Sequence, residues 1–302
     1  MKENTLFVEH YRPTKLENYV GNENIKKVIK QYLDQDDIQN LCFYGPAGTG
    51  KTTLAKLIVK NLDCDYLYIN ASDERGIDTI RDKVTSFAST ASFKSLKVVI
   101  LDEADFLTIN AQASLRNVIE TFSRSTRFIL TCNYIERIID PLQSRCQTLK
   151  IVPPSKVEVA KHLAWILGEE NISFIVDDIK NIVNQFYPDL RKCINAIQAN
   201  TVNSQLKLDE SVLFSSNYVN KVISELGKDK PNFKNIRQII ATANTDDYEE
   251  LFKELFDSAS EYLPGKEGTV ASLVNDHQYK ANFRIDKEIN TMSLINNLIL
   301  QK

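Results

Sequence analysis

The sequence predicts an α/β nucleotide-binding domain followed by helices alone, and three observations carry that prediction. From residue 38 to about 151, apolar runs alternate with helical patterns, as in a parallel sheet flanked by helices. Within that stretch, Leu41-Cys42-Phe43-Tyr44 passes directly into Gly45-Pro46-Ala47-Gly48-Thr49-Gly50-Lys51-Thr52, a GxxxxGK[ST] match between a strand pattern and a helix pattern. After Pro153-Pro154 the patterns are helical, with no strand runs. The predicted plan is a nucleotide domain over 1–152, a helical lid over 153–205 and an all-helical domain over 206–302.

The strands are expected at 41–44, 66–70, 98–101, 127–131 and 148–151. The first is followed by a helix with its apolar residues at Leu54, Ala55, Leu57 and Ile58. A second helix buries Ile77, Ile80, Val84 and Phe87, leaving Arg75 and Arg81 outside that stripe. A third carries Leu115, Val118, Ile119 and Phe122 on one face, with Gln112 and Arg116 sharing another. An i,i+4 pair with Glu120 is the structural alternative for Arg116. Helices then follow at roughly 155–168, 175–186, 189–200, 209–226, 231–243, 246–260 and 269–300. The breaks fall at Gly227, Pro231 and Pro264-Gly265, and no internal repeat appears.

Clustered phosphate charge is best held by backbone N–H groups, and glycines let the chain curl so that these groups and a helix N-terminus point at it. Gly45 to Thr53 are therefore the predicted nucleoside triphosphate cradle, with Lys51 reaching the β- and γ-phosphates and Thr52 holding Mg²⁺. The run Val98-Val99-Ile100-Leu101 ends in Asp102-Glu103. A parallel strand buried on both faces reads as a continuous apolar run, and ligands bind at its carboxyl end. Asp102 is placed to hold Mg²⁺ through water and Glu103 to deprotonate an attacking water. An acid pair after a strand also serves as a helix cap, but coupled to Lys51 it points to an ATPase.

Composition excludes several other classes. The chain has 302 residues, 43% hydrophobic and 25% charged, ordinary values for a soluble globular protein. No apolar stretch approaches a membrane span, and Met1-Lys2-Glu3-Asn4 is not a signal peptide, so a cytoplasmic setting without membrane is expected. The five cysteines contain no CxxC pair, and His10, His162 and His277 are dispersed, which argues against a structural zinc site. A net charge of −3 excludes a protein held to nucleic acid by bulk charge; DNA binding requires local basic patches or assembly.

Further motifs are weak singly. Asn133 ends the strand run Arg127-Phe128-Ile129-Leu130-Thr131-Cys132, where it can meet a γ-phosphate or the lytic water or simply serve a turn. Arg145 lies in the loop Ser144-Arg145-Cys146. Pro188-Asp189-Leu190-Arg191-Lys192 opens a helix with Asp189 as cap; Arg191 in its first turn is disfavoured by the dipole, which suggests an anion partner.

Together these segments resemble the AAA+ ATPases, and more narrowly the clamp-loader subunits: the small subunits of replication factor C and the ATPase subunit of T-even phage loaders. The resemblance runs over roughly residues 5–200. Val8-Glu9-His10-Tyr11-Arg12-Pro13, Leu16 and Tyr19-Val20-Gly21 look like the family's adenine-pocket segment. His10 stands where the family often has Lys. Asn70-Ala71-Ser72-Asp73-Glu74-Arg75-Gly76-Ile77-Asp78 is similar to a replication factor C signature, and Ser144-Arg145-Cys146 to its hallmark loop. Phe87-Ala88-Ser89-Thr90-Ala91-Ser92-Phe93 looks like the phage proteins.

The resemblance implies an ATP- and Mg²⁺-dependent ATPase of the AAA+ P-loop fold with a helical lid and a C-terminal helical collar. By the same resemblance Val8, Tyr11, Arg12, Pro13 and Val20 hold the adenine, and Asn133 and Arg191 act as sensors 1 and 2. Arg145 is the arginine finger for a neighbouring subunit. Arg75, Ile77, Arg81, Gln112 and Arg116 form the DNA face, with Gln112 and Arg116 coupling DNA to the catalytic acid and Arg75 a candidate restraint on Glu103, and Phe87 or Phe93 meets the clamp. The implied partners are a sliding clamp, a companion loader subunit, primer–template DNA and further copies of the chain in a pentameric spiral. The resemblance places the protein in the cytoplasm, a host's if phage-encoded, or the nucleus if eukaryotic. A branch-migration motor would need a DNA-reading hairpin or winged helix, and a non-hydrolysing scaffold would not need Glu103.

Overall fold

A computed structural model describes residues 6–73, 77–208, 218–243, 248–281, 283 and 286–302, the side chains of 77–80 and 250 excepted. Arg75 and the side chain of Ile77, both expected on the DNA face, lie outside the described residues.

Strands β1 (Leu41–Tyr44), β2 (Cys64–Asn70), β3 (Leu96–Asp102), β4 (Thr126–Cys132) and β5 (Gln147–Lys150) form one parallel sheet in the order β2-β3-β4-β1-β5. Leu41, Ile129, Ile100 and Tyr68 stand in one row across β1, β4, β3 and β2. Because side chains alternate along a strand, the apolar runs feed two cores. Leu41, Phe43, Val98 and Ile100 pack with Ile29 of α2 (Glu23–Gln35) and Leu54, Leu57 and Ile58 of α3 (Lys51–Asn61). Cys42, Val99, Leu101, Phe128 and Leu130 pack on the opposite side. Their partners are Val84 of α4 (Ile77–Ser89), Leu115 and Ile119 of α5 (Ile109–Thr121) and Leu142 of α6 (Asp140–Gln143). All of β3 is buried, as its unbroken apolar run requires, and its end delivers Asp102 to the rim of the sheet.

The helix after Pro153-Pro154, α7 (Lys156–Glu169), opens with a capping box in which the Glu158 carboxylate accepts from the Ser155 N–H at 2.8 Å. Next come α8 (Val176–Phe186) and α9 (Leu190–Ala199), the latter capped by Asp189, which accepts from the Lys192 N–H at 3.0 Å. The strand-free expectation after residue 153 needs one correction. Thr201–Val202 and Gln205–Leu206 form a two-stranded sheet, β6 and β7. Asn203 and Ser204 between them both adopt positive φ, 50° and 58°, as a tight type I′ hairpin turn demands.

The chain divides into two compact units, one of residues 1–174 and 186–205 and one of 175–185 and 206–302. Beyond β7 the described elements are helices: α10 (Tyr218–Gly227), α11 (Phe233–Ala243), α12 (Glu249–Asp257), α13 (Ala259–Tyr262), α14 (Glu267–Ala281) and α15 (Lys287–Ile299). They share a core that includes Val222, Ile236, Leu251, Phe252, Val270 and Ile295. The single helix expected over 269–300 is two helices. Asp286 accepts from the Ile289 N–H at 3.0 Å and so starts a new helix where no glycine or proline marks a break. A short N-terminal helix, α1 (Phe7–His10), belongs to the first unit.

Candidate active site

The loop between β1 and α3 is built on conformations closed to other residues. Gly45 has φ 147°, and a Cβ there would lie 2.2 Å from the Ile151 carbonyl oxygen. Gly48 has φ 71°, and its Cβ would lie 1.9 Å from Asp189 Oδ1, so the loop runs directly against the start of α9. Lys51, first residue of α3, is 8% exposed. Its Nζ donates to the carbonyls of Gly45 at 2.8 Å and Pro46 at 2.7 Å, and to Asn133 Oδ1 at 2.8 Å. Burial pulls the Lys51 ammonium below its ordinary pKa; the charges of Asp105 and Asp102 oppose that shift and Arg191 adds to it. Tyr19 braces the loop by donating its hydroxyl to the Thr49 carbonyl at 3.2 Å.

Across from Lys51, Asp102 collects hydroxyls. Thr52 donates to its two oxygens at 2.7 and 3.0 Å, Thr131 to Oδ1 at 2.5 Å and Tyr68 to Oδ2 at 2.7 Å. Burial, and then the bond to Asp102, raise the Tyr68 phenol above its ordinary pKa. Glu103 turns away from the strand at φ 55°, a left-handed conformation uncommon for a glutamate, with its N–H donated to Thr131 Oγ1 at 3.1 Å. Its carboxylate is thereby set at the cleft wall while Asp102 stays against Thr52. Thr52 and Asp102 form a hard-oxygen pair at a helix N-terminus beside an anion cradle, a donor set that fits Mg²⁺.

Asn133 is fixed from behind. Asp105 Oδ2 accepts from the Asn133 N–H at 3.1 Å and the Tyr134 N–H at 3.4 Å, while Oδ1 is buried without a hydrogen bond among the described residues. Asp105, Thr131 and Tyr68 escape the sequence reading because their roles arise from register; only the spacing Asp102-Glu103-Ala104-Asp105 hints at the first.

The cleft is also lined by Val8, Tyr11, Arg12, Pro13 and Val20, and by His162, Leu190 and Ile194. Tyr11 donates to Glu170 at 2.7 Å and meets Trp165 edge-on at 5.5 Å; burial, then Glu170, raise its phenol pKa. His162 stacks on Trp165 at 5.5 Å, and burial lowers its pKa. Arg191 lines the same cleft from α9, and Ala47 through Thr53 complete the wall.

Other predicted residues lie elsewhere. Arg145 is outside the cleft. Its Nε donates to Glu120 at 2.7 Å, Nη2 also bonds Glu120, and Nη1 donates to the Pro141 carbonyl at 2.7 Å. Glu120 thus pairs with Arg145, and Arg116, half-buried, reaches Asn117 Oδ1 at 3.3 and 3.1 Å instead. Gln112 requires a correction: it is 1% exposed and not on a DNA-facing surface. Its amide donates to the carbonyls of Leu107 at 3.2 Å and Arg137 at 2.9 Å and accepts from the Ile139 N–H at 2.8 Å, tying α5 to the segment before α6. It lies on the apolar side of α5, so a polar residue in that stripe misled the face assignment. Arg81 is exposed, 3.5 Å from Asp82. Phe87 packs on the core with Lys97 Nζ 5.2 Å from its ring centroid, whereas Phe93 is 111% exposed. Lys97, buried on β3, donates to the carbonyls of Phe87, at 2.7 Å, and Thr90, and so caps the last turn of α4.

The parallel sheet and its cleft are those of the AAA class: the family model "ATPase family associated with various cellular activities (AAA)" matches residues 41–154. Within that class the chain belongs to the replication factor C small-subunit family. It is 38% identical over 252 residues to the replication factor C small subunit of Methanosphaera stadtmanae, covering 82% of this chain and 75% of that protein. It is 40% identical over 247 residues to that of Thermofilum pendens, covering 79% and 72%. With the protein of Haloarcula marismortui identity is 42% over 217 residues, 70% of this chain, and the match spans 66% of that relative's length. Among solved structures, the Thermotoga maritima RuvB Holliday junction branch migration motor has a TM-score of 0.55 over 83% of this chain and 80% of its own. At 16% identity that likeness carries the fold alone.

Proposed function

We propose that this chain is an ATP-hydrolysing subunit of a sliding-clamp loader. ATP binding assembles it with further copies and a companion subunit into a spiral that opens the clamp on primer–template DNA, and hydrolysis releases the clamp. The reading is supported above all by how the polar and charged groups are divided. Lys51, Thr52, Asp102, Glu103, Asn133 and Arg191 share one cleft, while Arg145 lies outside it. A site that lacks its own finger needs a neighbour to complete it.

In this reading the loop from Gly45 to Thr53 and Lys51 bind the phosphates, and Val8, Tyr11 and Val20 hold the base. Thr52, and Asp102 through water, would hold Mg²⁺, which would supply neutralising charge to the phosphates. Glu103 orients the attacking water and takes its proton; Asn133 and Arg191 steady the γ-phosphate. Arg145 of an adjoining copy supplies the remaining positive charge to the transition state, a contribution of about 10³–10⁵ in rate where such fingers act. Arg81 and Arg116 face phosphates, Gln112 acts as an internal strut, and Phe93 is the ring that meets the clamp. The helices from α10 to α15 serve as the collar, and α7 to α9 as the lid.

ATP turnover by the purified chain is the test, alone and then with primer–template DNA, a cognate clamp and a companion subunit. Slow turnover alone and stimulation by the full set are expected. Fast turnover by the lone chain, indifferent to DNA and clamp, contradicts the loader reading. Binding without turnover in every arm identifies a scaffold subunit instead.

A further inference from the structure

Beyond the residues that the motifs single out, Tyr68 touches the metal-facing carboxylate. It stands on β2 level with Ile100, two residues before the end of that pairing, where Asn70 faces Asp102. Two residues of strand rise about 6.6 Å, roughly the reach of a phenol, so the hydroxyl arrives at Asp102 Oδ2, 2.7 Å away. The ring is also held by Lys56, whose Nζ lies over it, 4.3 Å from its centroid. Lys56 lies one turn beyond Thr52 on α3, so the two helical residues approach Tyr68 and Asp102 from the same face.

The hydrogen bonds on Asp102 explain what this contact does. A carboxylate offers about four lone-pair positions. Thr131 occupies Oδ1, Tyr68 occupies Oδ2, and the Thr52 hydroxyl bridges both oxygens. If Thr52 turns its oxygen to a metal ion, the bridge opens and one lone pair on each carboxylate oxygen becomes free. Thr131 and Tyr68 remain, one on each oxygen, and prevent the carboxylate from rotating. We propose that Tyr68 is a positioning residue for Mg²⁺–nucleotide binding, holding Asp102 in the orientation that receives the ion's water shell once Thr52 has swung to the metal. This rests on the reading of the cleft as an Mg²⁺–ATP site.

Tyr68→Phe in the full chain removes the hydroxyl and keeps the ring against Lys56. The measurement is an Mg²⁺ titration of the binding of a fluorescent ATP analogue, with a parallel arm in EDTA, and Tyr66→Phe, an exposed neighbour on β2, as control. Loss of a partner that orients a metal-facing group costs about tenfold or more in metal affinity. The Mg²⁺ concentration at half-saturation should therefore rise about tenfold in Tyr68→Phe, with the EDTA-arm affinity and thermal midpoint unchanged and Tyr66→Phe matching wild type. A merely structural tyrosine would shift the EDTA arm and the thermal midpoint as well, which overturns the proposal. So does a Tyr68→Phe titration that superimposes on wild type or moves to lower Mg²⁺. A wild-type chain that binds no nucleotide at any Mg²⁺ concentration overturns the nucleotide reading, and this one with it.

Discussion

Both units bury polar side chains, but to different ends. In the first, Lys51, Asp102 and Asp105 are each below 9% exposed and bond to residues of the cleft wall, Lys51 and Asp105 to Asn133 and Asp102 to Thr52. In the second, His277 and Asn290 are 4% and 5% exposed and bond to each other: Nδ1 of His277 lies 3.0 Å from Asn290 Oδ1, and Asn290 Nδ2 donates to the His277 carbonyl at 2.9 Å. Asn297 approaches the other ring nitrogen at 3.3 Å. A buried polar group in a closed network fixes packing; one held at the edge of an open cleft is available to a ligand. The comparison predicts that substitutions in the two networks fail in different assays.

The largest effect is expected from Arg145→Ala. In the assembled protein, turnover should fall by about 10³ or more, about 4 kcal/mol of transition-state stabilisation. Affinity of the isolated chain for ATP should stay unchanged, because Arg145 does not line its own cleft. Mixed assemblies sharpen the point: an Arg145→Ala site beside an intact neighbour should regain hydrolysis. Loss confined to the mutated chain's own site contradicts action in trans.

Glu103→Gln should come next, lowering turnover by at least about 10² while nucleotide binding persists. Lys51→Ala should instead weaken binding itself. A filter or fluorescence assay beside a phosphate-release assay separates the two, and near-normal turnover in Glu103→Gln removes its assignment as base.

Much of this cleft was legible in the sequence because its parts are local. Gly45 through Thr53 form one turn, and Asp102-Glu103 end one apolar run. Tyr68, Thr131 and Asp105 were not, because each acts through strand register or a bond to a residue distant in sequence. Gln112 falls on the buried face, contrary to expectation, since periodicity does not register a glutamine whose whole amide is satisfied internally. The five strands of the parallel sheet fall within a residue or two of their expected bounds, and the hairpin of β6 and β7 does not stand out as strand pattern. The helix of 269–300 was over-extended, because the cap at Asp286 looks like any exposed acid until the Ile289 N–H is seen to meet it.

Asn290→Leu tests the second network. It leaves the His277 ring facing an apolar side chain and should lower the unfolding free energy by about 1–3 kcal/mol. Chemical denaturation measures it, and ATP affinity should not change. A loss of nucleotide binding without a loss of stability breaks the contrast between the two kinds of polar burial.

The smallest effect on stability is expected at Phe93, and it separates a packed ring from a presented one. Phe87 and Phe93 flank the same segment, but Phe87 sits on the core beside Lys97, and Phe93 is 111% exposed. Removing a fully exposed ring should change stability by less than about 0.5 kcal/mol. Phe87→Ala should cost several times more, because it takes away core contacts and the face against which Lys97 rests. Single exposed apolar residues are ordinary on protein surfaces, so exposure alone does not make Phe93 a contact. Its surroundings supply the rest: Lys97 caps the last turn of α4 through the carbonyls of Phe87 and Thr90, and the Ser92 hydroxyl donates to Asp65 at 2.7 Å. The turn that presents Phe93 is therefore held at both ends. An aromatic anchor in a partner's pocket is commonly worth about 2 kcal/mol or more. Phe93→Ala should accordingly weaken capture of the clamp at least about 30-fold while the denaturation curve stays on that of wild type. Clamp capture that survives Phe93→Ala but fails in Phe87→Ala assigns the contact to the packed ring or to the fold of the segment.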